Sequence, residues 1–240
     1  MIYALLVGID NYPGNLADLR GCVNDVTRFD EEMQRMFGSS RYLSKVLVNE
    51  QACYDTFIAT WDKFFRQTKP GDTAIFHFSG HGSRQQTAVE LEPWSTGYDE
   101  TLVLYNSRLS PNNFDLADKE LAFMIRSLVL QQADVVVVLD CCHAGSGTRT
   151  VPPRLVARRT ASRTGPRKIE SYLYGKISGS MDTDIHFSIP KASHLLFAAC
   201  EPEEKALEDT ILKKGLFSKN LLEALIQYGI NRSYRDNIYS

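Results

Sequence analysis

Val135-Val136-Val137-Val138-Leu139 is an unbroken apolar run, mostly β-branched, that stops abruptly at Asp140-Cys141-Cys142-His143-Ala144-Gly145. A strand with no polar alternation must be covered on both faces, and that condition is met where helices flank a parallel sheet on each side. In open α/β sheets the chemistry sits beyond the carboxyl ends of the strands. The acid, the thiol pair and the glycine that end this run therefore stand where reactive groups are delivered.

The rest of the chain alternates as that arrangement requires. Tyr3 to Ile9 reads as a first strand, broken by the turn formers Asp10-Asn11-Tyr12-Pro13-Gly14-Asn15. Val26, Phe29, Met33, Met36 and Phe37 recur at helical spacing and predict a helix from about Asn24 to Phe37, ended by Gly38. Tyr42 to Val48 is a second strand, Tyr54 to Arg66 a second amphipathic helix and Thr73 to Phe78 a third strand. A short-stranded hairpin is expected between Glu90 and Leu104, and a helix from about Asp118 to Leu128 leads into the valine run. Ser193 to Ala199 restores a strand and Leu216 to Tyr228 a helix. Strand and helix in this order predict a three-layer α/β sandwich, with a mostly parallel central sheet and helices on both faces.

Ser146 to about Ile185 has no sustained periodicity and is rich in Arg, Ser, Thr, Gly and Pro, so it reads as a long exposed loop. The expected organisation is a large part over 1–147, a basic flexible loop over 148–185, and a small part of the same domain over 186–240.

With 240 residues and 43% apolar content the chain can bury a full core. A formal charge of −2 points neither to nucleic acid nor to a membrane surface. No run is long enough to span a bilayer, and Ile2 to Val7 is too short for a signal segment. Five scattered cysteines, Cys22, Cys53, Cys141, Cys142 and Cys200, suit reduced thiols in a cytoplasmic setting rather than a disulfide framework, and a monomer is expected.

The third strand runs into Ser79-Gly80-His81-Gly82-Ser83-Arg84, where glycines on both sides leave the imidazole uncovered. If this strand lies beside the valine strand, His81 and the thiol pair meet at one edge, and an imidazole is what a thiol needs to become a nucleophile at neutral pH. His143 cannot readily serve, because neighbours in an extended chain point to opposite faces. The same alternation puts one of Cys141 and Cys142 inward and the other outward, and spacing alone does not choose between them.

His77-Phe78-Ser79-Gly80-His81-Gly82-Ser83-Arg84 together with Leu139-Asp140-Cys141-Cys142-His143-Ala144-Gly145-Ser146 resembles the paired signatures of metacaspases and their prokaryotic relatives, the caspase-like cysteine peptidases. Gly8-Ile9-Asp10-Asn11-Tyr12, Gly21-Cys22-Val23-Asn24-Asp25, His194 to Cys200 and Gly215-Leu216-Phe217 extend the resemblance over most of the chain. Ala144 stands where many members have Ser. The resemblance implies a caspase-like sandwich in which Cys142 is the nucleophile, His81 its base, and the amides of Gly82 and Cys142 the oxyanion hole. It places Asp25 and Asp140, with Ser79 beside them, in a pocket for a basic side chain. Two carboxylates there favour Arg or Lys before the scissile bond over Asp.

An enzyme with that selectivity finds its own substrates in the basic loop, and Arg159, Arg163, Arg167 and Lys168 are candidate processing sites. Many metacaspases need calcium, and Asp99 and Asp118 resemble part of the acidic set used there. Lys119 and Arg149 stand where further acids are expected, which weakens a role for calcium as activator; the chemistry itself requires no cofactor. Other readings of the sequence are a caspase-like interaction or regulatory module with vestigial catalysis, and a nucleic-acid binder acting through the basic loop.

Overall fold

The computed structural model describes residues 1–94, 97–142, 152–173, 194–200 and 204–228. A five-stranded sheet in the order β10-β7-β3-β1-β2 forms the centre, with β1 (Ile2–Gly8), β2 (Tyr42–Val48), β3 (Thr73–Ser79), β7 (Asp134–Asp140) and β10 (His194–Ala198). Every pair in it is parallel. The valine run is β7, paired with β3 on one side and β10 on the other.

Alternation along the strands sorts their side chains into two cores. Tyr3, Leu5 and Val7 of β1, Phe76 and Phe78 of β3, and Val135 and Val137 of β7 pack with α2 (Tyr54–Phe65) and α3 (Asp118–Leu130). There Phe57, Trp61, Phe65 and Phe76 stack edge-on or tilted, with ring centroids 4.8–5.9 Å apart. Truncating a buried ring in such a cluster typically costs about 3–5 kcal/mol. The opposite residues, Ala4, Leu6 and Ile75, pack against Val26, Phe29 and Met33 of α1 (Cys22–Phe37) and Leu222 of α4 (Leu216–Tyr228). Helices on both faces explain why the strands carry almost no polar residues.

A second sheet stands at the carboxyl edge. β4 (Gly82–Gln86) pairs antiparallel with β5 (Tyr98–Leu102), which pairs with β6 (Leu116–Ala117), while β9 (Arg163–Pro166) lies on the other side of β4. The hairpin expected between Glu90 and Leu104 thus starts earlier, because β4 follows His81 directly. A third sheet joins β8 (Leu155–Ala157), β11 (Leu207–Asp209) and β12 (Lys214–Gly215).

The described part of the expected exposed loop is instead built into the domain. Residues 152–173 contain β8, β9 and a 3-10 turn at Ile169–Ser171, and Arg158 and Arg167 are buried. Three- and four-residue strands added to the edges of other strands have too few positions to show periodicity, so the sequence pattern could not reveal them. Among the described residues no helix is long and apolar enough to cross a membrane.

Candidate active site

β3 and β7 are hydrogen-bonded neighbours with Ser79 opposite Asp140, so both strands stop at the same level and release His81 and Cys142 at one edge. Both thiols are buried, so the expectation that one of them faces outward is not met. Cys141 packs into the larger core, whereas Cys142 lies in a small cluster with Cys200 and Ala206. His143, Ala144, Gly145 and Arg149 lie outside the described residues.

Arg158 occupies this edge, fully buried. Its carbonyl oxygen accepts from the amides of Gly82 and Cys142, each at 3.0 Å. Its guanidinium ends among three carboxylates. One terminal nitrogen donates to Ser79 Oγ at 2.7 Å and lies 3.0 Å from Asp140 Oδ2; the other lies 2.7 Å from Asp25 Oδ2 and 3.3 Å from Glu208 Oε2. Asp25, Asp140 and Ser79 therefore converge as expected, and Glu208 joins them. Of the processing candidates, Arg163 and Arg167 sit on other partners: the carbonyls of Asn113 and Pro111 for the first, the buried Glu120 for the second. The arginine in the pocket is Arg158, which was not among them.

Main-chain donors fix each acid. The Gly215 amide reaches both oxygens of Asp25, at 3.1 and 3.0 Å; Ser218 donates to Asp140 Oδ2 from its amide and its hydroxyl; Arg20 and Gly21 amides hold Glu208. Asp25 lies in the first turn of α1, a position that the helix dipole favours for an acid, yet its carboxylate is engaged by Arg158. Burial raises its pKa to about 7 against the opposing pull of Arg158, while Asp140 pushes it further up. Burial likewise raises Glu208. Gly82 and Gly215 are among the glycines that close approach requires. A Cβ on Gly82 would lie 1.7 Å from the Cys142 carbonyl oxygen, and one on Gly215 would lie 2.3 Å from Asp140 Oδ2 and 2.5 Å from the Arg158 guanidinium.

His81 is buried, and its Nε2 lies 2.7 Å from the Ala17 carbonyl. A carbonyl only accepts, so Nε2 carries the proton; Nδ1, without a partner among the described residues, carries the lone pair. Burial lowers the imidazole pKa below its ordinary 6.5, which keeps the ring neutral. The Cys142 thiol is hydrogen-bonded elsewhere: it donates to the Ala206 carbonyl at 3.2 Å and accepts from the Ala206 amide at 3.1 Å. Hydrogen bonding with the Cys200 thiol, and burial, push its pKa far above the usual thiol range.

The acids proposed by resemblance for calcium are differently engaged. Asp99 is buried, and its carboxylate takes hydrogen bonds from Thr87, Lys119 and Tyr172, while the Lys119 ammonium also lies 3.5 Å from Asp118. An ammonium already holds the position between the two acids, so these residues do not fit a divalent cation.

Arg158, Glu208, Ala206 and Ser218 are the site residues missed by sequence reasoning. Arg158 was hidden in a run of like residues. For Glu208 the only signal was the acid pair Glu208-Asp209 shortly after the strand at Ser193 to Ala199.

Comparison with known proteins places the chain among caspase-domain proteins. Metacaspase-4 of Arabidopsis thaliana is 30% identical over 258 residues, covering 98% of this chain and 58% of that protein. Metacaspase-8 of the same plant is 30% identical over 147 residues, covering 59% of this chain and 36% of its own. The chain thus spans between about a third and three fifths of the length of these relatives. In fold it is similar to protein GSU0716 from Geobacter sulfurreducens, with a TM-score of 0.63 at 20% identity, covering 98% of this chain and 86% of that one. The caspase-domain model of peptidase family C14 matches residues 1–238, and the chain belongs to that family.

Proposed function

We propose that the chain is a cysteine endopeptidase that cleaves peptide and protein substrates after arginine, and that it cuts itself between Arg158 and Arg159. The observation that carries this reading is the docking of one residue in two ways at once: the guanidinium of Arg158 among Asp25, Asp140 and Glu208, its carbonyl between the Gly82 and Cys142 amides.

The resting thiol faces Ala206, so a turn of the Cys142 side chain toward His81 opens the reaction. His81 Nδ1 then takes the thiol proton, and the thiolate attacks the Arg158 carbonyl carbon. Negative charge gathers on the carbonyl oxygen between the two amides, which are already aimed at it. Collapse breaks the C–N bond as the imidazolium passes its proton to the Arg159 amine. Water, deprotonated by the same imidazole, hydrolyses the thioester and releases a carboxylate at Arg158.

Arginine fits better than lysine. Each terminal guanidinium nitrogen has its own acceptors here, whereas a lysine ammonium presents a single nitrogen. Until the bond is cut and the strand leaves, Arg158 blocks the pocket to other substrates. Calcium has no part in this scheme, because Lys119 supplies the positive charge between Asp99 and Asp118.

The test is to incubate purified full chain and determine fragment ends by intact mass. A fragment beginning at Arg159, absent in Cys142→Ala, is expected. A chain that stays whole under all conditions and turns over no arginine peptide would exclude the proposal and leave a non-catalytic module.

A further inference from the structure

We infer that Asp209 forms a second basic-residue subsite, so that the enzyme favours substrates with Arg or Lys four residues upstream of the arginine at the cleaved bond. The inference rests on the reading of function above and deepens it, because the docked segment 154–158 is taken as the substrate's own pose.

That pose is strand addition. β8 lies antiparallel to β11, with Leu155 opposite Asp209 and Ala157 opposite Leu207, and the Arg158 amide donates to the Ala206 carbonyl at 3.0 Å. Main-chain pairing of this kind accepts most sequences and leaves selectivity to side-chain subsites along the strand. One subsite is the Arg158 pocket. The other lies at the opposite end of the same short strand, where the Arg154 carbonyl accepts from the Thr210 amide at 3.1 Å and from Thr210 Oγ1 at 2.9 Å. With its backbone pinned there, the Arg154 guanidinium pairs with Asp209 Oδ2.

Asp209 is held in place by the turn that follows it. Its Oδ1 accepts from the Ile211 and Leu212 amides, each at 2.9 Å, which fixes the carboxylate and leaves Oδ2 for the ligand. The acid side chain is only 6% exposed and that of Arg154 51%, so the ligand approaches from solvent onto a fixed anion. Glu208 and Asp209, adjacent on β11, thus serve two different basic side chains of one docked strand. The half-open geometry limits the effect to about two- to fivefold, as for exposed ion pairs generally, and makes it sensitive to salt.

The experiment uses self-processed full chain and two fluorogenic peptides, Arg-Leu-Val-Ala-Arg and Gln-Leu-Val-Ala-Arg, with the ratio of their kcat/KM values as readout. Wild type should favour the first by about two- to fivefold through KM, and less at high salt. Asp209→Asn should bring the ratio to unity, and Asp209→Lys should bring it below unity. Because each ratio is taken within one enzyme preparation, partial loss of folded protein cancels. Equal turnover by wild type, or a preference that survives in Asp209→Asn, overturns the subsite while leaving the peptidase reading intact. Turnover of neither peptide by wild type removes both.

Discussion

The Arg158 carbonyl oxygen accepts a hydrogen bond from the Cys142 amide at 3.0 Å, so the residue proposed to attack already grips the carbonyl it would attack. The thiol of the same residue is turned to Ala206, which separates binding of the scissile segment from its cleavage.

Because the amide of Cys142 holds the Arg158 carbonyl at the edge where β3 delivers His81, Cys142→Ala and His81→Ala should each lower self-cleavage and peptide hydrolysis by at least about a thousandfold, as when a member of a catalytic unit is removed. Cys141→Ala lies in the core and should keep the activity with some loss of thermal stability. Initial rates beside a melting curve separate the two effects.

Arg158→Gln should leave the chain uncut at this position, whereas Arg159→Gln, Arg163→Gln and Lys168→Gln should still yield a cut after residue 158. Arg158→Lys should be cleaved more slowly than wild type, since one ammonium cannot serve acceptors spread over both guanidinium nitrogens. Mass spectrometry of the fragments over time decides the order.

Gly215→Ala should raise KM for arginine peptides more than it lowers kcat, because its Cβ would intrude on Asp140 and on the bound guanidinium. Gly82→Ala should act on kcat instead, by displacing the Cys142 carbonyl and one amide of the carbonyl cradle. Loss of a single such donor commonly costs about a hundred- to a thousandfold in kcat. Steady-state kinetics on one arginine peptide compare the two.

Burial raises Asp25 to about 7 with the Arg158 guanidinium in place, and without a guanidinium the carboxyl loses that opposing pull, so the pocket should weaken as pH falls towards about 7. Protonation removes one of the negative charges that face the substrate's guanidinium, so KM should rise on the acid side. For stability the sign is opposite. The folded carboxyl holds its proton to higher pH than the unfolded one at 3.8, so this group favours the fold at low pH and loses that contribution as pH climbs from about 4 to about 7. Asp25→Asn should flatten both dependences, in KM and in melting temperature measured across this range.

Adding calcium or a chelator should leave self-cleavage unchanged, because the Lys119 ammonium occupies the space between Asp99 and Asp118. Lys119→Ala should lower the melting temperature, since it strands the buried Asp99 carboxylate without its counter-charge. A rate increase on calcium addition to wild type would count against this account.

The layers, and which reactive residues share one edge, are legible in the sequence. Periodicity located the parallel strands and their helices, because each has enough residues for one face to repeat. The valine run, β-branched and with no polar alternation, reads as an inner strand, and it is β7 between β3 and β10. The glycine-flanked His81 and the strand-end thiols marked the edge because reactive residues of both kinds follow strands that must end together. Resemblance brought Asp25, Asp140 and Ser79 to the same place, and they do meet. Only the tertiary structure decided which basic residue faces them. Arg158 has the same side chain as its neighbours Arg154, Arg159 and Arg163, and what distinguishes it is the register of a three-residue strand against β11, set by hydrogen bonds to a segment some fifty residues away. The contributions of Glu208 and Asp209 were equally invisible, because an acid acquires a partner only when the chain folds a cation onto it.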